Sequence, residues 1–98
     1  MEIEFRNLSG IRVGYISGND VRDRFGNRVG YINGNEVRDS SGSRVGYING
    51  NEIRDVFGNR KAYLNGNEIR DNSGNRIGYP TRSASQIEMV AAALLLYR

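Results

Sequence analysis

Cysteine, histidine and tryptophan are all absent from the 98-residue chain, and proline occurs once. No cysteine means no disulfide framework and no thiolate metal site. Without histidine the chain lacks the usual general base and the commonest metal ligand. Without tryptophan it lacks the indole platform of many sugar sites. Lysine is nearly absent too. Of 14 basic residues only Lys61 is a lysine, which points to fork-shaped arginine pairing or stacking rather than a lysine-studded surface. The longest apolar stretch, Met89–Leu96, is far short of the roughly 20 residues that span a bilayer. The first residues, MEIEFRN, are acidic and alternating and do not read as a secretory signal, so the expected location is the cytoplasm.

What the chain has is a repeat. Arginines at 12, 28, 44, 60 and 76 fall sixteen residues apart, and the segments starting at Arg28 and Arg44 agree at 12 of 16 positions. Such a unit is one supersecondary element that stacks on its copies to bury an apolar side. Each unit reads as two short strands. Strand A is Arg12–Ile16, Arg28–Ile32, Arg44–Ile48, Arg60–Leu64 and Arg76–Tyr79; strand B is Asp20–Asp23, Glu36–Asp39, Glu52–Asp55 and Glu68–Asp71. β-branched and aromatic residues between Asn/Gly clusters are the hairpin signature. In the B-to-A turns, Asp-x-x-Gly, the aspartate accepts turn amides and the glycine forms a bulge at positive φ.

That register sets Arg22 opposite Arg28 and Val21 opposite Val29. Reading Asn-Gly-Asn at 33–35 as a three-residue loop keeps Val37 on the same face. One apolar face then comprises Phe5, Val13, Tyr15, Val21, Val29, Tyr31, Val37, Val45, Tyr47, Ile53, Tyr63, Ile69, Ile77 and Tyr79, interrupted by Lys61 beside Ala62. Glu4–Gly10 matches a B strand with its turn, so the chain offers five B-turn-A hairpins. Pairing Arg76–Tyr79 with Glu2–Asn7 would close the sheet and remove its edges, and Pro80 ends it. The expected fold is therefore mainly β: residues 1–80 form an antiparallel hairpin-repeat meander, closed or nearly so. Residues 81–98 add a helix capped at Ser83 or Ser85.

The motif G-N-R-x-G-Y-I-N-G-N-x-[VI]-R-D resembles the bacterial four-fold β-flower repeat domain over roughly residues 2–80. A weaker likeness is to the YD repeats of large secreted toxins. This chain offers five hairpins where the resemblance implies four, and the resemblance implies no activity and no site residues.

Three kinds of chemistry are worth weighing. Arg22, Arg28, Arg38, Arg44, Arg54, Arg60, Arg70 and Arg76 line the face opposite the apolar one, with Arg6 and Arg12 beside them. They read either as a surface for a nucleic acid or acidic glycan, or as a ladder in which Asp20, Glu36, Glu52 and Glu68 bridge neighbouring arginines. The ladder is the expected reading. Asp39-Ser-Ser-Gly-Ser and Asp71-Asn-Ser-Gly-Asn resemble pieces of calcium loops but lack further carboxylates, so turn chemistry is preferred. Tyrosines on a Val/Ile face read as core rather than as a sugar platform. Phe25 and Phe57, at the tips of alternate turns, suit a protein partner. No nucleophile–base pair is present, and a near-symmetric repeat lacks the unlike environments that separate an acid from a base. No enzyme, cofactor or metal is expected.

The helix carries its own expectation. Ile87, Val90, Ala91 and Leu94 form one stripe, and Met89, Ala92, Ala93 and Leu96 make the opposite side apolar as well. Burying its large side chains is worth on the order of 10 kcal/mol. A second copy is the expected cover, giving a dimer through Met89, Val90, Ala93, Leu94, Leu96 and Tyr97. The function so reached is a non-catalytic, self-associating interaction module, with a polyanion- or glycan-binding module as the alternative.

Overall fold

The computed structural model describes residues 2–97. Ten strands follow one another around a closed antiparallel barrel: β1 Glu2–Arg6, β2 Arg12–Ser17, β3 Asp20–Asp23, β4 Arg28–Asn33, β5 Glu36–Asp39, β6 Arg44–Asn49, β7 Glu52–Asp55, β8 Arg60–Asn65, β9 Glu68–Arg70 and β10 Arg76–Pro80. Closure is by β1 on β10, with Arg6 opposite Tyr79 and Phe5 opposite Pro80. The Thr81 amide donates to the Glu4 carbonyl at 2.8 Å and extends the seam by one bond. No sheet edge is left to template aggregation.

The Asp-x-x-Gly turns form as their residues dictate. In the second hairpin the Gly26 amide donates to the Asp23 carbonyl, and the Asp23 carboxylate accepts the amides of Phe25 and Asn27. Gly26 sits at φ 88°, where a side chain would be strained. The other turns are shorter than expected. Asn33 pairs with Glu36, so Gly34 and Asn35 alone make a two-residue loop. Gly34 has φ 62° and Asn35 does not have positive φ, the II′ pattern that suits the strand twist.

This loop and a bulge together correct the expected apolar face. Arg22 does lie opposite Arg28, but Val21 pairs with Gly30 instead of Val29, because the register shifts between Val21 and Arg22. The same shift recurs in all five hairpins. A bulge holds two residues against one and so reverses the alternation beyond it. The inward positions of strand A are therefore Gly14 and Ile16, Gly30 and Ile32, Gly46 and Ile48, Ala62 and Leu64, with Gly78 in the last. Tyr15, Tyr31, Tyr47, Tyr63 and Tyr79 leave the predicted core and stand outside. Val21, Val37, Ile53 and Ile69 remain core residues as expected, and Val13, Val29, Val45 and Ile77 pack partly against them.

Helix α1 spans Gln86–Leu95. Ser85 caps it, accepting from the Glu88 amide while the Glu88 carboxylate accepts the Ser85 amide. The helix enters at the Asn-Gly end, where the Gln86 side-chain amide donates to Gly50 O, and runs down the inside of the barrel. Its last residues meet the inward glycines in turn. A Cβ on Gly46 would strike Leu94, on Gly30 Leu95, on Gly14 Leu96 and on Gly78 the Tyr97 ring. In the fourth hairpin Ala93 and Ala62 line one cleft. Five consecutive side chains, the last two past the helix end, thus address five strand-A positions. Met89, Val90, Ala91, Ala92 and Leu95 are buried. Of the residues expected to meet a second copy, Met89 and Val90 are buried in the chain's own barrel, while Ala93, Leu94, Leu96 and Tyr97 are half-buried against it.

Candidate functional site: the outer girdle and the turn rim

The outer face repeats one small arrangement. In each of the first four hairpin loops a strand-A tyrosine sits opposite a strand-B arginine, as Tyr31 does Arg38. The strand-A arginine three residues earlier stacks on the ring, from 4.4 Å to the centroid for Arg12 over Tyr15 to 5.6 Å for Arg44 over Tyr47. The strand-B arginines are committed by their forks. Arg38 Nη1 donates to the Gly42 carbonyl at 2.7 Å and Nη2 to Glu36 at 2.6 Å. Arg6, Arg54 and Arg70 repeat both bonds, whereas Arg22 keeps the carbonyl bond and a 3.8 Å approach to Asp20. Each fork ties an acid to the bulge glycine, so these arginines serve as turn braces.

The acids bridge. Glu36 reaches both Arg38 and Arg44, Glu52 both Arg54 and Arg60, Glu68 both Arg70 and Arg76, and Asp20 both Arg22 and Arg28. This is the ladder geometry expected from the sequence, although it shares its face with the tyrosines. For the three glutamates the strand-A contacts are the looser ones, 3.1–3.6 Å at Arg44, Arg60 and Arg76, whereas at Asp20 Arg28 is closer, at 3.4 Å, than Arg22, at 3.8 Å. The Arg38 hydrogen bond and charge hold the Glu36 carboxyl below its ordinary value of 4.5. The Arg54 bond does the same for Glu52, as do the Arg76 and Arg70 bonds for Glu68. Burial pushes the Tyr97 phenol up; its hydroxyl donates to the Arg6 carbonyl at 2.6 Å.

These shifts set a pH window. A lowered carboxylate contributes stability above its unfolded value and loses it as pH falls through the folded one; a raised phenol contributes below its unfolded value of 10.0 and loses it above. The expected melting temperature is flat between about pH 5 and 9 and falls on both sides. Thermal unfolding across pH checks this, and 1 M salt should flatten the acid limb because the glutamates are partly open to solvent.

At one end of the barrel the four Asp-x-x-Gly turns and the equivalent Asn-x-x-Gly turn at 7–10 form a rim. Phe57 is 85% exposed and Phe25 75%, with Leu8, Ile11 and Val56 also exposed there. Ser40, Ser41, Asn72 and Ser73 occupy the other tips. The aspartate carboxylates are taken up by turn amides, and among the described residues no three His, Cys, Asp or Glu side chains converge as metal ligands. No helix among those residues is long and apolar enough to cross a membrane. Of the residues singled out by sequence, the arginines share one girdle, the two phenylalanines share one rim and the helix residues lie inside.

A closed ring of five hairpins around a central helix is a β-flower architecture. The family described as 5-fold beta-flower protein matches residues 1–98, and the chain belongs to it. The repeat number is thus five where the sequence resemblance suggested four. No curated protein and no solved structure matches the chain.

Proposed function

We propose that this β-flower is a non-catalytic interaction module that engages a protein through the Asp-x-x-Gly rim. The observation that carries the reading is the exposure of Phe25 and Phe57 at tips where the repeat elsewhere uses serine. Neither ring supports the fold, and large exposed aromatics mark contact surfaces. A second copy of the chain is one such partner. It would meet this rim, where the exposed aromatics lie, rather than the helix, most of whose apolar side chains pack inside the barrel.

A photo-crosslinking amino acid at position 25 or 57, in cells that make the protein, tests this. Discrete protein adducts from the rim, and none from position 35 at the opposite end, are expected; a dimer-sized adduct would identify self-association. No discrete adduct from either rim position would overturn the reading. The girdle supports a second reading, because it carries two arginines per acid and Arg28, Arg44 and Arg60 hold ion pairs of 3.4–3.6 Å. Salt-sensitive retention on heparin at low salt would favour it.

A further inference from the structure

The fourth hairpin departs from the repeat at three places that meet in space. Lys61 stands where the other units have Val13, Val29, Val45 and Ile77. Ala62 stands where they have glycine. The helix residue facing this unit is Ala93, whereas Leu94, Leu95, Leu96 and Tyr97 fill the other four. A cleft of about 450 Å³ opens there, lined by Lys61, Ala62, Ile77, Ala93, Leu94 and Tyr97. Such a volume lies within the range of small-molecule sites.

The strand pairing beside Ala62 is also shorter. In the first three units the inward glycine pairs with the aspartate across the strand, as Gly14 does with Asp23. Between β8 and β9 that pair is missing and β9 stops at Arg70.

We infer that this cleft binds a small amphipathic anion, an apolar chain or ring ending in a carboxylate. Its walls are four aliphatic side chains and the Tyr97 ring, whose hydroxyl is occupied by the Arg6 carbonyl. Its one cation, Lys61, has no ion pair among the described residues. The Asp55 carboxylate nearby is held by the amides of Phe57 and Asn59. Arg60 is committed to Glu52 and Asn72. An apolar body against the walls with its head at Lys61 satisfies both.

Octanoate is the probe, with octylammonium as the charge-reversed control, followed by methyl NMR shifts on the full chain. Octanoate should produce saturable shifts at Ala62, Ile77, Ala93 and Leu94, and bind at least about fivefold more tightly than octylammonium. Lys61→Val installs the residue of three other units, so it keeps the fold and should erase the charge preference. Ala93→Leu should fill the cleft and abolish the shifts. Equal binding of the two amphiphiles, or shifts that ignore both substitutions, would overturn the assignment.

Discussion

A chain ending at Ser85 should not fold, giving no cooperative thermal transition and no dispersed methyl spectrum. Removing α1 uncovers Phe5, Ile16, Val21, Val37, Ile53 and Ile69, all 0–1% exposed in the complete structure. It also removes Met89, Val90 and Leu95, each contributing about 1.5–3 kcal/mol, and the edge-on contact of Tyr97 with Phe5. Leu94 and Leu96 add partial burial. The total rivals the 5–15 kcal/mol that holds a domain together. Ten short strands around an empty middle have nothing else to pack on, because one inward position of every strand A is glycine or, at 62, alanine. Leu95→Ala should cost about 2–5 kcal/mol on the same grounds. A peptide covering 84–98, added to the shortened chain, should restore structure. A soluble 1–85 chain that unfolds cooperatively by itself would refute the central role of the helix. The two readings of the apolar helix, cover by a second copy or by its own barrel, are separated by the same experiment.

The hairpin count, the closure through Arg76–Tyr79 and Glu2–Asn7, and the all-round burial of the helix were legible in the sequence. Each follows from spacing or composition alone. The facing of the tyrosines was not, and the reason is local. One bulge residue per unit, Val29 in the second, and one residue fewer in the Asn-Gly loop each reverse the alternation. Val21 and Val37 stay on one face, but Tyr31 moves to the other. A signal existed: glycine and isoleucine alternate in RVGYI as consistently as valine and tyrosine do. A strand face of Gly plus Ile is unattractive only until something fills the space above glycine, and the leucines of the helix do so. The tight packing of two distant segments is what pattern reading within one hairpin misses. The girdle arginines were found, but their turn-bracing role was not, since it depends on Gly42 and its equivalents presenting a carbonyl to the fork. The Lys61 cleft was visible only as an interruption of the pattern.

Gly14→Ala should destabilise the protein by about 3 kcal/mol, toward the upper end of overpacking costs. A Cβ there would lie 2.5 Å from the Arg22 carbonyl oxygen and 2.6 Å from a Leu96 methyl. The leucine can turn away, but the carbonyl belongs to the neighbouring strand and cannot move without breaking the pair between Gly14 and Asp23. Conformational freedom is not the reason for glycine here, because Gly14 has no positive φ. Gly18, in the same hairpin, is the converse case: φ is 64° and nothing lies within 4 Å of a Cβ built there. Gly18→Ala should therefore cost only about 1–2 kcal/mol of backbone strain. The equivalent of the Gly14–Asp23 pair is absent between Ala62 and Asp71 and also between Gly78 and Asn7 at the β1–β10 seam, so its loss is not peculiar to the alanine unit. Chemical denaturation of the two variants decides the matter, with amide exchange at Asp23 as the local readout. Gly14→Ala should speed exchange at Asp23 toward that at Asp71, and Gly18→Ala should leave it slow. An equal or smaller stability loss for Gly14→Ala would mean that the strands can part without penalty. Close approach would then not be what selects glycine at the inward positions of this barrel.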